Sequence, residues 1–565
     1  MNRQSSVSLA YASGFEELLV SIDEKVSGPV AESSFLRAKL AHRVAAGFFE
    51  IDGMEQRSSH LSERRWVCVV LAPALAAVCL SLVSSRALAA RYDGKLTIVT
   101  IDEQTGERIA VRMELRNGRD RPVRVKAEAA VSHGDYFVFD GEVTLELRKG
   151  PYTFLIEAGP EYETRPGRFT IERRAEDETE VVLKRRVDMQ AEGWWAGDLD
   201  VRHSSRDLPL LMRAVGVDFA PRLVRENSRG KCWHDKLSQT TAVGSTVSID
   251  NRRGGGLLLF NAKQPMDVCR WKADESSLPV LSAASEAGAE VAALTPFAWD
   301  LPLWLASGDL DAIQIIHRHA LVDDVVDNEG WGRPRDKTFF PGKMGNGRWS
   351  EAIYHHVLNS GLRIPPSAGS GSGTNKNPVG ANRVYVHCGD EFTQENWFAG
   401  LRSGQVVVTN GPLLRTQVEG HPPGHLFELE EGESREFEIA LSLTFYELAP
   451  VEYLEIVKNG RVEFEVRLDE LAKKKGRLPP VKFDESGWFA VRARTSKSST
   501  YQFATTGPYY VESNYRRRIS RQSVQFFLDW LGEAKQKFAA EENILADIAA
   551  AEPYWEDLLT KANAK

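Results

Sequence analysis

Cysteine is scarce: five occur in 565 residues, and no two stand at CxxC spacing. Cys68 and Cys79 fall inside an apolar stretch, which leaves Cys232, Cys269 and Cys388. Three cysteines permit one disulfide in an oxidising compartment but do not make a disulfide framework. Positive charge is not in excess either. The formal net charge is -8, and no basic stripe is interleaved with aromatics, which argues against a general nucleic-acid binder. Neither a strict P-loop nor a dinucleotide fingerprint is present, so no nucleotide or flavin motif of useful specificity can be read. There is no internal repeat, and no low-complexity tract beyond "SAGSGSGTNKN".

What is present is an ordinary globular composition, 42% hydrophobic and 27% charged, in a chain long enough for two to four domains. The segment "RRWVCVVLAPALAAVCLSLVSSRALAA", Arg64 to Ala90, places two arginines before an uncharged apolar run and ends in small residues. That order reads as an export signal. Residues 1–63 then form an N-terminal extension, and Met54 would give the signal a normal length. The rival reading is a signal anchor, because Trp66 to Val83 is just long enough to span a bilayer. Export with cleavage is favoured, giving a periplasmic or extracellular protein that meets a membrane only if the segment stays uncleaved.

From residue 91 to 189, "KLTIVTID", "VRMELRN" and "DYFVFDGEVTLELRKGPYTFLIEAG" alternate apolar and polar residues between Gly, Asp and Asn turns. This predicts a small antiparallel β-sandwich. From 190 to 414, short apolar runs alternate with helical stretches, which predicts a parallel sheet or barrel with its polar residues gathered at the C-terminal strand ends. Strands return from 415 to 515 as a second β-sandwich. Residues 516–565 read as helical, with Pro553 as a break.

The middle region carries "GWWAGDLDVRHSSRDLPLLMRA", "TPFAWDLPLWLASGDLDAIQI", "DNEGWGRPRD", "GNGRWSEAIYHHVLNSGLRIPPSAGSGSG" and "GLRSGQVVVTNGPLL". In order and spacing these resemble the polymerase-and-histidinol-phosphatase (PHP) superfamily, and within it the exported carbaryl-hydrolase-like (CehA/McbA) metallohydrolase branch. The resemblance implies an α/β fold: a distorted (β/α)7 barrel, here flanked by the β-sandwiches and followed by the C-terminal helices. It also implies up to three metal ions and hydrolysis by metal-activated water. The family's ligand motifs are altered one after another. Its His-x-His falls on Asp200 and Arg202. Its Asp-His-Asn element falls on "VREN", with Arg225 and Glu226 at the ligand positions. Thr295 stands where a histidine precedes proline, and the closing Asp-x-His is absent from "SAGSGSG". His317-x-His319 survives.

Guanidinium groups stay protonated and cannot ligate a cation, whereas they suit phosphate, sulfate or carboxylate. The expectation is therefore a largely degenerate site holding at most one divalent ion (zinc, manganese or iron), bound weakly by His317 or His319 with Asp200 or Glu226. Ligand contacts are expected from Asp198, Arg202, Arg225, Thr295, Asp300, Trp331 and Ser370. Several features also have plainer readings. Asp198 and Asp200 can pair with Arg202 or cap a helix, and His203 points to the opposite strand face. "SAGSGSG" can be an anion-cradling loop or a flexible connection. The tryptophans can be a sugar platform or a core. Two functions follow: a metallohydrolase-like protein, or a non-catalytic binding protein for an anionic or carbohydrate small molecule.

Overall fold

The computed structural model describes residues 92–235, 245–444, 450–473 and 477–565. The signal segment and Met54 lie outside the described residues. No helix among the described residues is long and apolar enough to cross a membrane.

Residues 92–189 pair as a three-stranded sheet, ordered Glu142–Leu147, Gly94–Asp102, Glu176–Leu183, and a five-stranded sheet running from Ala130–His133 to Arg165–Ile171. Alternation builds them. Along Glu142–Leu147 every second residue, Val143, Leu145 and Leu147, is buried, and these side chains meet Ile98, Val111, Met113, Phe137 and Ile156 in one core. Two such sheets agree with the β-sandwich expectation, but not with its being antiparallel throughout, because Gly94–Asp102 runs parallel to Glu176–Leu183.

The middle region departs from expectation. Its seven-stranded sheet is ordered Lys231–His234, Arg222–Ser228, Thr246–Asn251, Leu257–Phe260, Glu290–Ala293, Ala312–Ile316, Pro366–Ala368. It is mixed rather than parallel, because Leu257–Phe260 runs antiparallel to both neighbours. The cause is local. Only the short run Arg252–Gly256 separates Asn251 from Leu257, and a parallel crossover needs a dozen residues or more. Gly254 makes the return possible: its φ is +76°, and a Cβ there would sit 2.5 Å from the Trp331 carbonyl oxygen.

The ladder is also open, and no closed (β/α)7 barrel is found among the described residues. The segment that follows the strand Trp194–Gly197 makes separate contacts on both sides. Asp198 N donates to Phe219 O at 2.9 Å, Leu199 N to Ala368 O at 3.2 Å, and Arg202 N to Ser372 O at 2.8 Å. Asp198 to Arg202 are thereby fixed between the approach to Arg222–Ser228 and the last strand of the sheet.

Position 414 is not a sheet boundary. The strands Trp194–Gly197, Arg383–His387 and Val406–Thr409 continue through Phe503–Thr506 into Gly487–Thr495, Tyr509–Ser513 and Leu426–Leu429, in one nine-stranded sheet that also takes in Val451–Lys458 and Arg461–Arg467. At the C-terminus the helices Arg521–Lys537 and Glu542–Lys561 pack together, and the second continues through Pro553. The missing N–H removes one helical bond, but Ile548, Ala551 and Trp555 on either side are buried in the main core. Tertiary packing overrides the break that propensity predicts.

Candidate functional site

Asp200 is 1% exposed, and both of its carboxylate oxygens are taken by arginine. Arg318 donates through Nε to Oδ2 at 2.9 Å, and its NH2 lies 2.8 Å from Oδ1 and 2.6 Å from Oδ2. Arg202 Nε adds a contact to Oδ1 at 3.3 Å, and Arg202 NH1 pairs with Glu226. Two carboxylates and two guanidiniums thus form one cluster in which the formal charges cancel. Burial pushes the Asp200 carboxyl upward, but Arg318 and then Arg202 outweigh it and hold the group below the usual aspartate range.

Asp198 is equally buried yet has no arginine partner. It accepts backbone N–H bonds from Ser370 at 2.9 Å, Gly380 at 2.8 Å and Asp200 at 3.2 Å. Burial pushes its carboxyl up to about 6 despite those bonds. Asp198 anchors a loop. Ser370 belongs to the same lattice, exchanging bonds with the Asn382 backbone. Asn375, Asn377 and Asn382 donate side-chain N–H groups to the carbonyls of Arg318, Ala320, Ser370, His317 and Gly369. Residues 367–372 are all buried. "SAGSGSG" is therefore neither a flexible connection nor an open cradle, because the asparagines that follow it fasten it to the segment that carries His317 to His319.

His317 is engaged at both ring nitrogens, while His319 is engaged only in part. His317 Nε2 is 2.9 Å from Ser350 Oγ, and its Nδ1 accepts the His319 N–H at 3.4 Å. His317 lies well below its ordinary value, through burial first and then the neighbouring His319 and Arg318. His319 is pushed down to about 4, by burial and then by Arg318. The two rings sit 5.1 Å apart, with Phe297 against both at 5.2 and 5.5 Å. His319 Nδ1 is buried without a partner. His203 faces elsewhere, bonding Ser372 Oγ at 2.7 Å and meeting His133 of the N-terminal sandwich.

The remaining candidates separate from the cluster. Arg225 was expected beside Asp200, but its guanidinium pairs with Asp267 at 3.4 Å and is part-exposed. Adjacent strand residues face opposite ways, so Glu226 pointing to Arg202 sends Arg225 outward. Asp300 accepts from Arg253 Nε at 3.2 Å and from Ser277 Oγ, in a buried network ahead of the helix Leu301–Ser307. Thr295 Oγ1 is buried with no partner, against Gly255. Trp331, expected as a ligand contact, lies under the Arg229 guanidinium at 3.1 Å, and its indole N–H is buried.

These residues do not fit a divalent ion. A divalent ion at Asp200 would have to displace Arg318 and Arg202, and at Glu226 it would sit beside the Arg202 guanidinium, so two fixed cations oppose it. Both His317 nitrogens are engaged. The buried atoms without a partner in this region are the Gln314 amide, Ser367 Oγ, Arg202 NH2 and His319 Nδ1; only the last, an imidazole nitrogen, is a good zinc ligand, and one such donor does not make a site. Elsewhere, Cys232, His234 and Cys269 come within 4.8 Å of one another. Cys232 and Cys269 are joined as a disulfide, however, so no thiolate is available to a metal.

Arg318 is the residue that sequence reasoning missed. Strand alternation would send the residue between two inward histidines outward. The strand ends at Ile316, with a register irregularity between Gln314 and Ile316, so alternation no longer governs residues 317–319.

No family model matches the chain, and no curated protein matches it. Among solved structures, similarity is found to the N-terminal four Ig domains of Dscam1 isoform 8.4, at 9% identity, with 75% of this chain and 73% of that chain covered and a TM-score of 0.13. The same domains of isoform 4.4 match at 10% identity, with 74% and 96% covered and a TM-score of 0.11. Scores this low carry no likeness of fold, and none of these comparisons bears on the PHP resemblance.

Proposed function

We propose that this chain is an exported, non-catalytic binding protein on a PHP-type scaffold, in which two guanidiniums have taken over the charge-balancing task of a metal. The observation that carries the reading is the clamp of Arg318 on Asp200, extended by Arg202 to Glu226. A dication holds several carboxylates together by supplying positive charge among them, and two arginines supply the same charge with fixed hydrogen-bond geometry and no Lewis acidity. Without a metal-bound water of lowered pKa, hydrolysis of the family type has no nucleophile. The apolar–small order before residue 91 and the disulfide between Cys232 and Cys269 support export.

The test is elemental analysis of protein purified from metal-replete medium, with an esterase and phosphoesterase screen before and after chelation. We expect less than one equivalent of any divalent ion, no turnover and no change in melting temperature on adding zinc or manganese. Two or more tightly held ions, with turnover lost on chelation, would falsify the proposal.

A further inference from the structure

A cleft of about 430 Å³ opens between the N-terminal sandwich, the middle region and residues of the C-terminal region. Its volume lies in the range of pockets that hold small organic ligands, about 300–1,000 Å³. Its walls mix apolar surface, including Pro160, Pro166, Val322 and Pro378, with four cationic side chains against two glutamates. None of the residues lining it belongs to the Asp200 cluster.

Most of the charge is already matched. Arg112 pairs with Glu157, Arg186 with Glu163 at 3.6 Å, and Lys497 with Asp323 at 2.8 Å. Arg383 differs. It is 5% exposed, and among the described residues no carboxylate lies within salt-bridge reach of it. Its Nε donates to Gly380 O at 2.7 Å, and its NH1 donates to Val215 O and Gly216 O, each at 3.2 Å. That leaves the two N–H groups of NH2, on the side of Gly380, with which Arg383 lines the cleft. The nearest buried acids are engaged elsewhere: Glu161 accepts from Met189 N, and Asp218 accepts from Ala196 N and Gln190 Nε2. Arg383 feels the charges of Glu161 and Asp218 only at a distance, without an ion pair to either, and a buried guanidinium so placed gains from an anion that brings a carboxylate into direct contact in the same low-dielectric wall.

We propose that this cleft is a binding site for a small organic carboxylate, its acid group on Arg383 and its apolar body against the proline and valine wall. The proposal deepens the binding-protein reading by naming a ligand class and a location. Its test is separate, because metal content and turnover decide the Asp200 reading while carboxylate titration decides the cleft.

Titrating the full exported chain with sodium benzoate and sodium citrate by calorimetry, with benzamide as the uncharged control, provides that test. We expect saturable binding of at least one carboxylate with a Kd under about 1 mM, and none of benzamide. Arg383→Met should weaken it at least tenfold. Because Arg383 also ties three carbonyls and its loss can disturb folding, Ala381→Trp is the second variant. It fills the cleft from the wall and should abolish binding while the melting curve stays cooperative. Arg225→Ala should bind as the native chain does. Failure of both carboxylates to saturate below about 10 mM, equal binding of benzamide, or native-like binding by a folded Ala381→Trp chain would each overturn the proposal.

Discussion

Asp198 and Asp200 stand two residues apart on one segment, both buried, and their surroundings drive them in opposite directions. Asp198 has only amide and hydroxyl donors around it and is pushed up to about 6. Asp200 has two guanidiniums and is held below the ordinary range. Burial penalises both carboxylates, so burial does not account for the contrast. The partner's formal charge does. In this chain the same stretch serves as a loop anchor at one position and as one corner of a four-charge cluster at the next.

The largest expected effect breaks the charged half of the contrast. Arg318→Ala leaves a buried carboxylate with only the weaker Arg202 contact, and should cost about 3–5 kcal/mol by urea unfolding, as removal of one partner of a buried pair does. Replacing Arg318 and Asp200 together by Met and Leu should recover most of that loss, because the stranded charge goes too. If the single and double variants are equally damaged, Arg318 acts through packing rather than through its charge.

The next effect separates the two aspartates by pH. Asp198 has a folded value of about 6, above its unfolded value of about 3.9. The native state therefore binds the extra proton between those limits, and this group's contribution to stability falls as pH rises from about 4 to 6, by roughly 2–3 kcal/mol. Asp200 is lowered, so its contribution is complete above about pH 4 and is lost on further acidification. Urea unfolding from pH 3 to 7 should show that Asp198→Asn flattens the curve between about pH 4 and 6, while Asp200→Asn changes it mainly below about 4. Coincident changes in the two variants would erase the distinction.

The smallest effect tests the assignment of the arginines. Arg225→Ala should change stability by less than about 0.5 kcal/mol, since its pair with Asp267 is part-exposed. A loss as large as that of Arg318→Ala would mean that the outward placement of Arg225 is wrong.

These contrasts also mark what the sequence could convey. The sandwich strands were legible because alternation along "EVTLEL" reports which face meets a core. Asp200, Arg202 and Glu226 were legible as candidates because the PHP resemblance puts them at its ligand positions, and the structure brings the three side chains together. Their mutual pairing was the plainer of two readings. Arg225 was misplaced for want of register: nothing in "VREN" says which of two neighbours faces inward until the pairing of Arg222–Ser228 is known. Arg318 was invisible because it lies beyond the strand end, and Asn375, Asn377 and Asn382 because their partners are backbone carbonyls distant in sequence. The antiparallel strand Leu257–Phe260 could have been read from the brevity of "RRGGG" alone. The sheet that crosses position 414 could not, since it depends on pairings such as Val407 with Thr506.

The indole of Trp555 donates to Pro302 O at 3.1 Å and is fully buried, beside Phe527 and the helix Leu301–Ser307. In time rather than in space, this means that the middle of the protein is made long before the part that covers it. Some 250 residues separate the two groups, so during synthesis at about 5–20 residues per second the apolar face waits on the order of ten seconds or more for its cover. A chain stopped short of Arg521 would keep that face bare permanently. Such a truncation should aggregate rather than yield a smaller folded protein, which makes the last forty-five residues a condition of solubility for the whole.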